Sequence, residues 1–171
     1  MTTDKREVVG HTAVVAEDKG QTRLTSVVGR FRQGELTLDE ALVEVAAKGL
    51  VRYAGVQYIA RANHQAWESL TAGDSATALL WARAAQLAYD DLRPPPKNLG
   101  LRLSRKLTAM VGLTDRVVAY SEYLAGIAAS SLGRHGEARS SLLRALAIVE
   151  QGESPGFTVA DCVRELDQIP G

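Results

Sequence analysis

Catalysis needs nucleophiles, titratable groups or metal ligands at workable spacing, and this sequence supplies few. Its three histidines, His11, His64 and His135, fall in different predicted elements, none with a second His or Cys at ligand spacing. His64 and Glu68 stand four residues apart, on one face of a helix. Such a pair could furnish half a metal site, but by itself it reads as a surface i,i+4 pair. Cys162 is the only cysteine, which rules out an intramolecular disulfide and a cysteine-based zinc site. Its place on an apolar helix face suits a buried thiol better than a nucleophile. No phosphate-cradling glycine loop, nucleophile elbow or dinucleotide fingerprint occurs. The reading is therefore of no catalytic residue, no metal site and no cofactor, in a protein that is not an enzyme.

Charge leaves one local feature. Lys plus Arg and Asp plus Glu both number 20, so no overall field favours nucleic acid or an anionic membrane. Between Arg93 and Arg116, however, Arg93, Lys97, Arg102, Arg105, Lys106 and Arg116 face one acid, Asp115. Arg102, Arg105 and Lys106 would form a positive face for phosphate groups or an acidic partner segment. The acidic C-terminal part (Glu150, Glu153, Asp161, Glu165, Asp167) could equally neutralise it, within one chain or between chains.

These residues need elements to hold them, and composition points to helices. Apolar residues make up 46% and aromatics only 5%, with Ala and Leu outweighing β-branched runs, which predicts an all-α chain. Its length suits one domain. Residues 1–20 stay unassigned as an N-terminal arm, and residues 21–171 form the helical domain. Leu24, Val27, Val28 and Phe31 make a helical stripe ending at Gly34. Thr37 with Glu40 is a capping box opening a helix that buries Leu38, Leu42 and Val45 and stops at Gly49. A long helix from Val51 to Thr71 follows, with Val51, Ala54, Tyr58, Ala62 and Gln65 on one side, and Ala76–Leu92 returns antiparallel to it. Pro94, Pro95 and Pro96 stop that helix. Leu99, Leu103, Leu107 and Met110 then mark an amphipathic helix over 99–111.

Thr114 is read as the cap of the next helix, whose packed positions are Val117, Val118, Leu124, Ile127 and Ala128. Ala125, Gly126 and Ala129 lie alongside, small enough to let a second helix come close. Gly133 ends it and residues 134–137 make the turn. Ala138, Leu142, Ala145, Leu146 and Val149 line the return helix. After a linker at 153–156, Thr158 and Asp161 begin a short terminal helix carrying Val159, Val163, Leu166 and Ile169. The sequence has no signal-peptide core and no 18-residue apolar run, so a soluble, cytoplasmic protein with no membrane partner is expected.

Residues 119–152 resemble a tetratricopeptide repeat, a helix-turn-helix of about 34 residues, through Gly126, Gly133, Glu137, Ala138, Leu142 and Ala145. Residues 59–92 resemble it again through Ala66, Gly73, Ala78 and Ala85. Gly73 and Gly133, Ala78 and Ala138, and Ala85 and Ala145 share one offset. The chain departs from the family at Ser69 and Ala129, where a large aromatic is usual, and at Glu150, where a proline is. An unrelated bundle of Ala-rich helical hairpins gives a similar pattern.

The resemblance implies antiparallel hairpins stacked into a short superhelix or bundle, with the terminal helix capping its open end. It also implies a groove lined by the first helices of the units, formed by Ala60, Asn63, Trp67 and Thr71 with Tyr120, Tyr123, Ile127 and Ser130. Asn63, Trp67, Tyr120, Tyr123 and Ile127 would bind a partner protein or peptide, the aromatics as anchors and Asn63 as a backbone clamp. Burial of Trp67 and Tyr123 between helices is the competing assignment. The expected function is thus a non-enzymatic scaffold or adaptor. A nucleic-acid-associated regulator using 93–116 and a homo-oligomeric structural subunit are the alternatives.

Overall fold

The computed structural model describes residues 24–47, 56–92, 113–152 and 156–170. All regular structure in them is helical: α1 (24–32), α2 (Leu38–Ala47), α3 (Val56–Thr71), α4 (Ser75–Leu92), α5 (Leu113–Ser131), α6 (His135–Val149) and α7 (Val159–Asp167). The all-α class expected from composition is what the fold shows. The arm at 1–20, Gly49, the start of the long helix at 51–55, the three prolines and the amphipathic helix at 99–111 lie outside the described residues. So do Arg102, Arg105 and Lys106.

The same backbone device ends α1, α3 and α5. Gly73 adopts φ +79° and Gly133 φ +73°, a region nearly closed to residues with a Cβ. In each turn the glycine N–H bonds back three residues and the next N–H bonds back five, Asp74 to the Ser69 carbonyl at 2.8 Å and Arg134 to that of Ala129 at 2.9 Å. The orphan carbonyls of the helix end are thereby satisfied. Gly34 and Glu35 repeat the pattern on Phe31 and Arg30. Because the chain has already reversed at Arg134, α6 begins at His135 rather than at Ala138 as the polar run suggested. Likewise α5 begins at Leu113, so Thr114 lies inside its first turn instead of preceding it.

The expected capping box forms at the start of α2. Thr37 N–H donates to Glu40 Oε2 at 2.8 Å and Glu40 N–H donates to Thr37 Oγ1 at 3.3 Å. At the start of α7, Thr158 and Asp161 make the same reciprocal pair.

Helix α3 packs on α4, and α5 packs on α6, giving two antiparallel hairpins. Helix α5 also packs against α3 and α4, while α2 packs on α4 and α7 on α6. Having neighbours on several sides, α5 buries Val118, Ala119, Leu124, Ala125, Ala128 and Ala129. Small residues set the spacing between helices. A Cβ on Gly126 would lie 2.6 Å from Leu142 Cγ, so the α5–α6 crossing needs a residue without one.

Ion pairs gather at the turns, where two of them link α1 and α2 to the hairpins. Arg32 meets Asp74 at 3.2 Å, and Arg134 joins Asp39 at 2.8 Å and Glu137 at 2.9 Å. These pairs are partly exposed and each contributes little to stability. They fix the relative placement of the turns more than they hold the fold.

Candidate partner-binding face

Along α3 the exposed residues Ala60, His64, Trp67 and Thr71 recur at helical spacing. They form a stripe with Trp67, 46% exposed, near its centre. His64 Nε2 lies 3.3 Å from Glu68, the surface pair expected from their spacing, and among the described residues no group of three metal-ligating side chains occurs. Gln65 donates to Glu68 at 2.8 Å, and the Thr71 hydroxyl donates to the Glu68 carbonyl. The polar residues around the Trp are thus already oriented by their own helix.

The other half of the expected groove is built differently. Asn63, one turn before Trp67, is buried: its amide donates to the Val117 carbonyl at 2.9 Å and its carbonyl accepts from the Ser121 hydroxyl at 2.8 Å. Both polar ends therefore clamp α3 to α5, and burial at 3% exposure keeps the rest of the amide from a partner backbone. Tyr123 is also buried, with its ring centroid 4.5 Å from that of Phe157 and the planes 5° apart. Tyr120, half-buried, also stacks on Phe157, at 6.2 Å. Ile127 and Ser130 are half-buried. Of the five residues assigned to partner binding, Trp67 alone is broadly exposed, while Asn63 and Tyr123 are committed to contacts inside the chain. The aromatics divide in this way because Trp67 projects from α3 into the open, whereas the C-terminal segment folds over α5.

That segment reaches α5 through Gly156, at φ +99°, where a Cβ would sit 3.2 Å from the Tyr120 ring. Phe157 follows, 4% exposed, then α7 buries Cys162 with Leu166 partly covered, and Ile169 is buried just beyond the helix end. Val159 and Val163, expected among the apolar residues of this helix, remain 39% and 43% exposed. Burial pushes the Tyr123 phenol up to about 12, with the carboxylates of Glu165 and Asp161 adding to it. Burial likewise pushes the Cys162 thiol up to about 11, again with help from Asp161 and Glu165. At neutral pH Cys162 is a protonated, buried thiol and no nucleophile.

Two arrangements escaped the sequence. One is Phe157, which stood between a linker and a helix cap. The available signal was its position just before the Thr158 cap, with Cys162 at the fourth helical position, the placement of a hydrophobic staple. The other is Glu122, buried on α5. Its carboxylate accepts from Gln86 of α4 at 2.8 Å and takes both arms of Arg144 from α6 at 2.9 and 3.0 Å. Arg83 extends the seam, donating to Gln86 at 2.7 Å and meeting Glu137 at 3.3 Å.

Of the basic segment, the side chain of Arg116 is described and exposed. Among the described residues no helix is long and apolar enough to cross a membrane. Comparison of the chain with models of protein families, with curated proteins and with solved structures gives no match.

Proposed function

We propose that the protein is a non-enzymatic interaction module that captures a partner protein along α3, with Trp67 as its anchor. The observation that carries this reading is the exposure of Trp67 within the stripe Ala60, His64, Trp67 and Thr71. A tryptophan offers the largest apolar contact area of any side chain with little rotamer entropy to lose, which is why it dominates binding energies at protein interfaces. Ala60 and Thr71 leave room for a second backbone beside it, and the His64–Glu68 pair offers polar groups to orient that backbone. An amphipathic segment laid along α3 would place an apolar residue on the indole and polar residues near the pair. The resemblance to tetratricopeptide repeats supports the same side of the hairpins.

The test is site-specific photo-cross-linking with a benzophenone amino acid replacing Thr71, in lysate of the source cells, with and without nuclease. The expected result is one defined protein cross-linked in both conditions and lost when Trp67→Ala is added. Cross-links indifferent to Trp67→Ala, or only to nucleic acid, would replace this reading with the regulator. Cross-links only to the chain itself would replace it with the homo-oligomeric subunit.

A further inference from the structure

The contacts of the C-terminal segment point to a second binding surface. We infer that residues 156–170 are a displaceable latch occupying a slot on α5 and α6. The slot takes from a partner a segment of the same chemistry: an aromatic residue just before a capped helix that is apolar at the fifth, ninth and twelfth residues beyond it. This deepens the partner-binding reading, because Tyr120 and Tyr123 belong to the groove expected beside Trp67.

Three features carry the inference. The first is how the segment is held. Phe157 stacks on Tyr123 and Tyr120, and Cys162, Leu166 and Ile169 face inward. Among the described residues the one side-chain hydrogen bond tying it to the rest is Arg139 to the Ile169 carbonyl, at 3.5 Å. Aromatic stacking and apolar burial dominate, and another segment with the same side chains reproduces both.

The second feature is that the segment is organised from within. Thr158 and Asp161 cap α7, and Arg164 pairs with Asp161 at 2.8 Å and Glu165 at 3.5 Å, all inside the segment. It leaves the slot without stranding a charge on the body. Elements with few ties to the body open at a fraction of the global unfolding free energy.

The third is arithmetic. A short tether holds its ligand at an effective concentration on the order of 1 mM. If latch and peptide each bind the open slot at about 1 µM, the latch weakens the free peptide about a thousandfold. A competing segment therefore needs contacts that the latch lacks, and Trp67, exposed on neighbouring α3, offers one.

Cys162 makes the opening measurable, because it is the chain's only thiol and is fully buried on the inward side of the latch itself. The experiment alkylates it in the full-length chain. The probe is a synthetic peptide of residues 156–171 carrying Cys162→Ala, so that it brings no thiol. The peptide is expected to raise the alkylation rate saturably, at least fivefold, and its Phe157→Ala form to do nothing. In the full-length chain, Phe157→Ala should keep the helical signal, speed alkylation at least tenfold and bind the peptide at least tenfold more tightly.

Should Phe157→Ala prevent folding, Thr158→Ala with Asp161→Ala loosens only the start of α7. It should speed alkylation about fivefold, in keeping with loss of a helix cap. The latch is overturned if the peptide leaves alkylation unchanged, or if alkylation in every variant merely tracks global melting. Trp67-dependent cross-linking alongside that result would leave the partner reading intact. A peptide-responsive latch with no Trp67-dependent partner would instead remove the partner reading alone.

Discussion

Gly126 lies so close beneath Leu142 that an added methyl group would sit 2.6 Å from Cγ and 2.8 Å from Cδ2. The α5–α6 crossing thus combines the smallest residue with a large one. Sixty residues earlier, α3 and α4 carry Ala66 and Ala82 at the corresponding positions, both fully buried. The two hairpins distribute volume differently at equivalent places.

Gly126→Ala should therefore destabilise the fold by about 1–3 kcal/mol, the usual cost of overpacking a close crossing, read as a lower chemical-denaturation midpoint. Adding Leu142→Ala to it reproduces the Ala–Ala pair of the other hairpin. The double variant should be more stable than the sum of the two single effects predicts. Strict additivity would mean that the two side chains do not compete for this space.

Arg144 approaches Glu122 from a half-exposed position, whereas the Glu122 side chain is only 10% exposed. Removing the arginine leaves a nearly buried carboxylate with Gln86 as its remaining partner in the seam. Arg144→Ala should cost about 1–2 kcal/mol, within the range for a buried acceptor losing a charged donor, with solvent access at Arg144 keeping it at the low end. Glu122→Gln should remove most of that penalty when combined with Arg144→Ala, which a double-mutant cycle of urea unfolding measures. A cycle with no coupling would mean that the bidentate contact contributes nothing.

Legibility in the sequence followed the range of the interaction. Gly34, Gly73 and Gly133, and the boxes Thr37–Glu40 and Thr158–Asp161, act over five residues or fewer, and their types and spacing alone announce them. Asn63 was legible as a polar residue on α3 but not as a buried one, because its partners Val117 and Ser121 lie more than fifty residues away. Glu122 was less visible still, since Gln86 and Arg144 come from two different helices. For the site, periodicity put Trp67 and Tyr123 on comparable helix faces. Only the path of the C-terminal segment decides that one is covered and the other exposed.

The two aromatics should accordingly separate on substitution. Trp67→Ala should leave the thermal midpoint within about 2 °C of wild type, because a half-exposed side chain away from the core contributes little to folding. Tyr123→Ala removes a buried ring and its stack on Phe157, and should cost about 3–5 kcal/mol. Differential scanning calorimetry of both variants makes the comparison, and equal destabilisation would place Trp67 in the core.

Acid should loosen α7 from its first turn. Hydrogen bonds from the Thr158 hydroxyl and then the Thr158 backbone hold the Asp161 carboxyl below its usual range, with the Arg164 guanidinium adding to the effect. A depressed folded-state pKa gives stabilisation that is complete above the unfolded value, about 4, and is lost as pH falls through the lower folded value. The capping contribution should thus hold at neutral pH and fade from about pH 4 downward. The Thr158 and Asp161 amide resonances should move together over that range, followed by the Phe157 ring as its stack on Tyr123 loosens. Asp161→Asn should abolish the Thr158 transition while leaving that of Thr37 in place, since Thr37 is governed by Glu40, whose carboxyl is lowered in the same way by its own cap. An unchanged Thr158 transition in Asp161→Asn would mean that another group controls the start of α7.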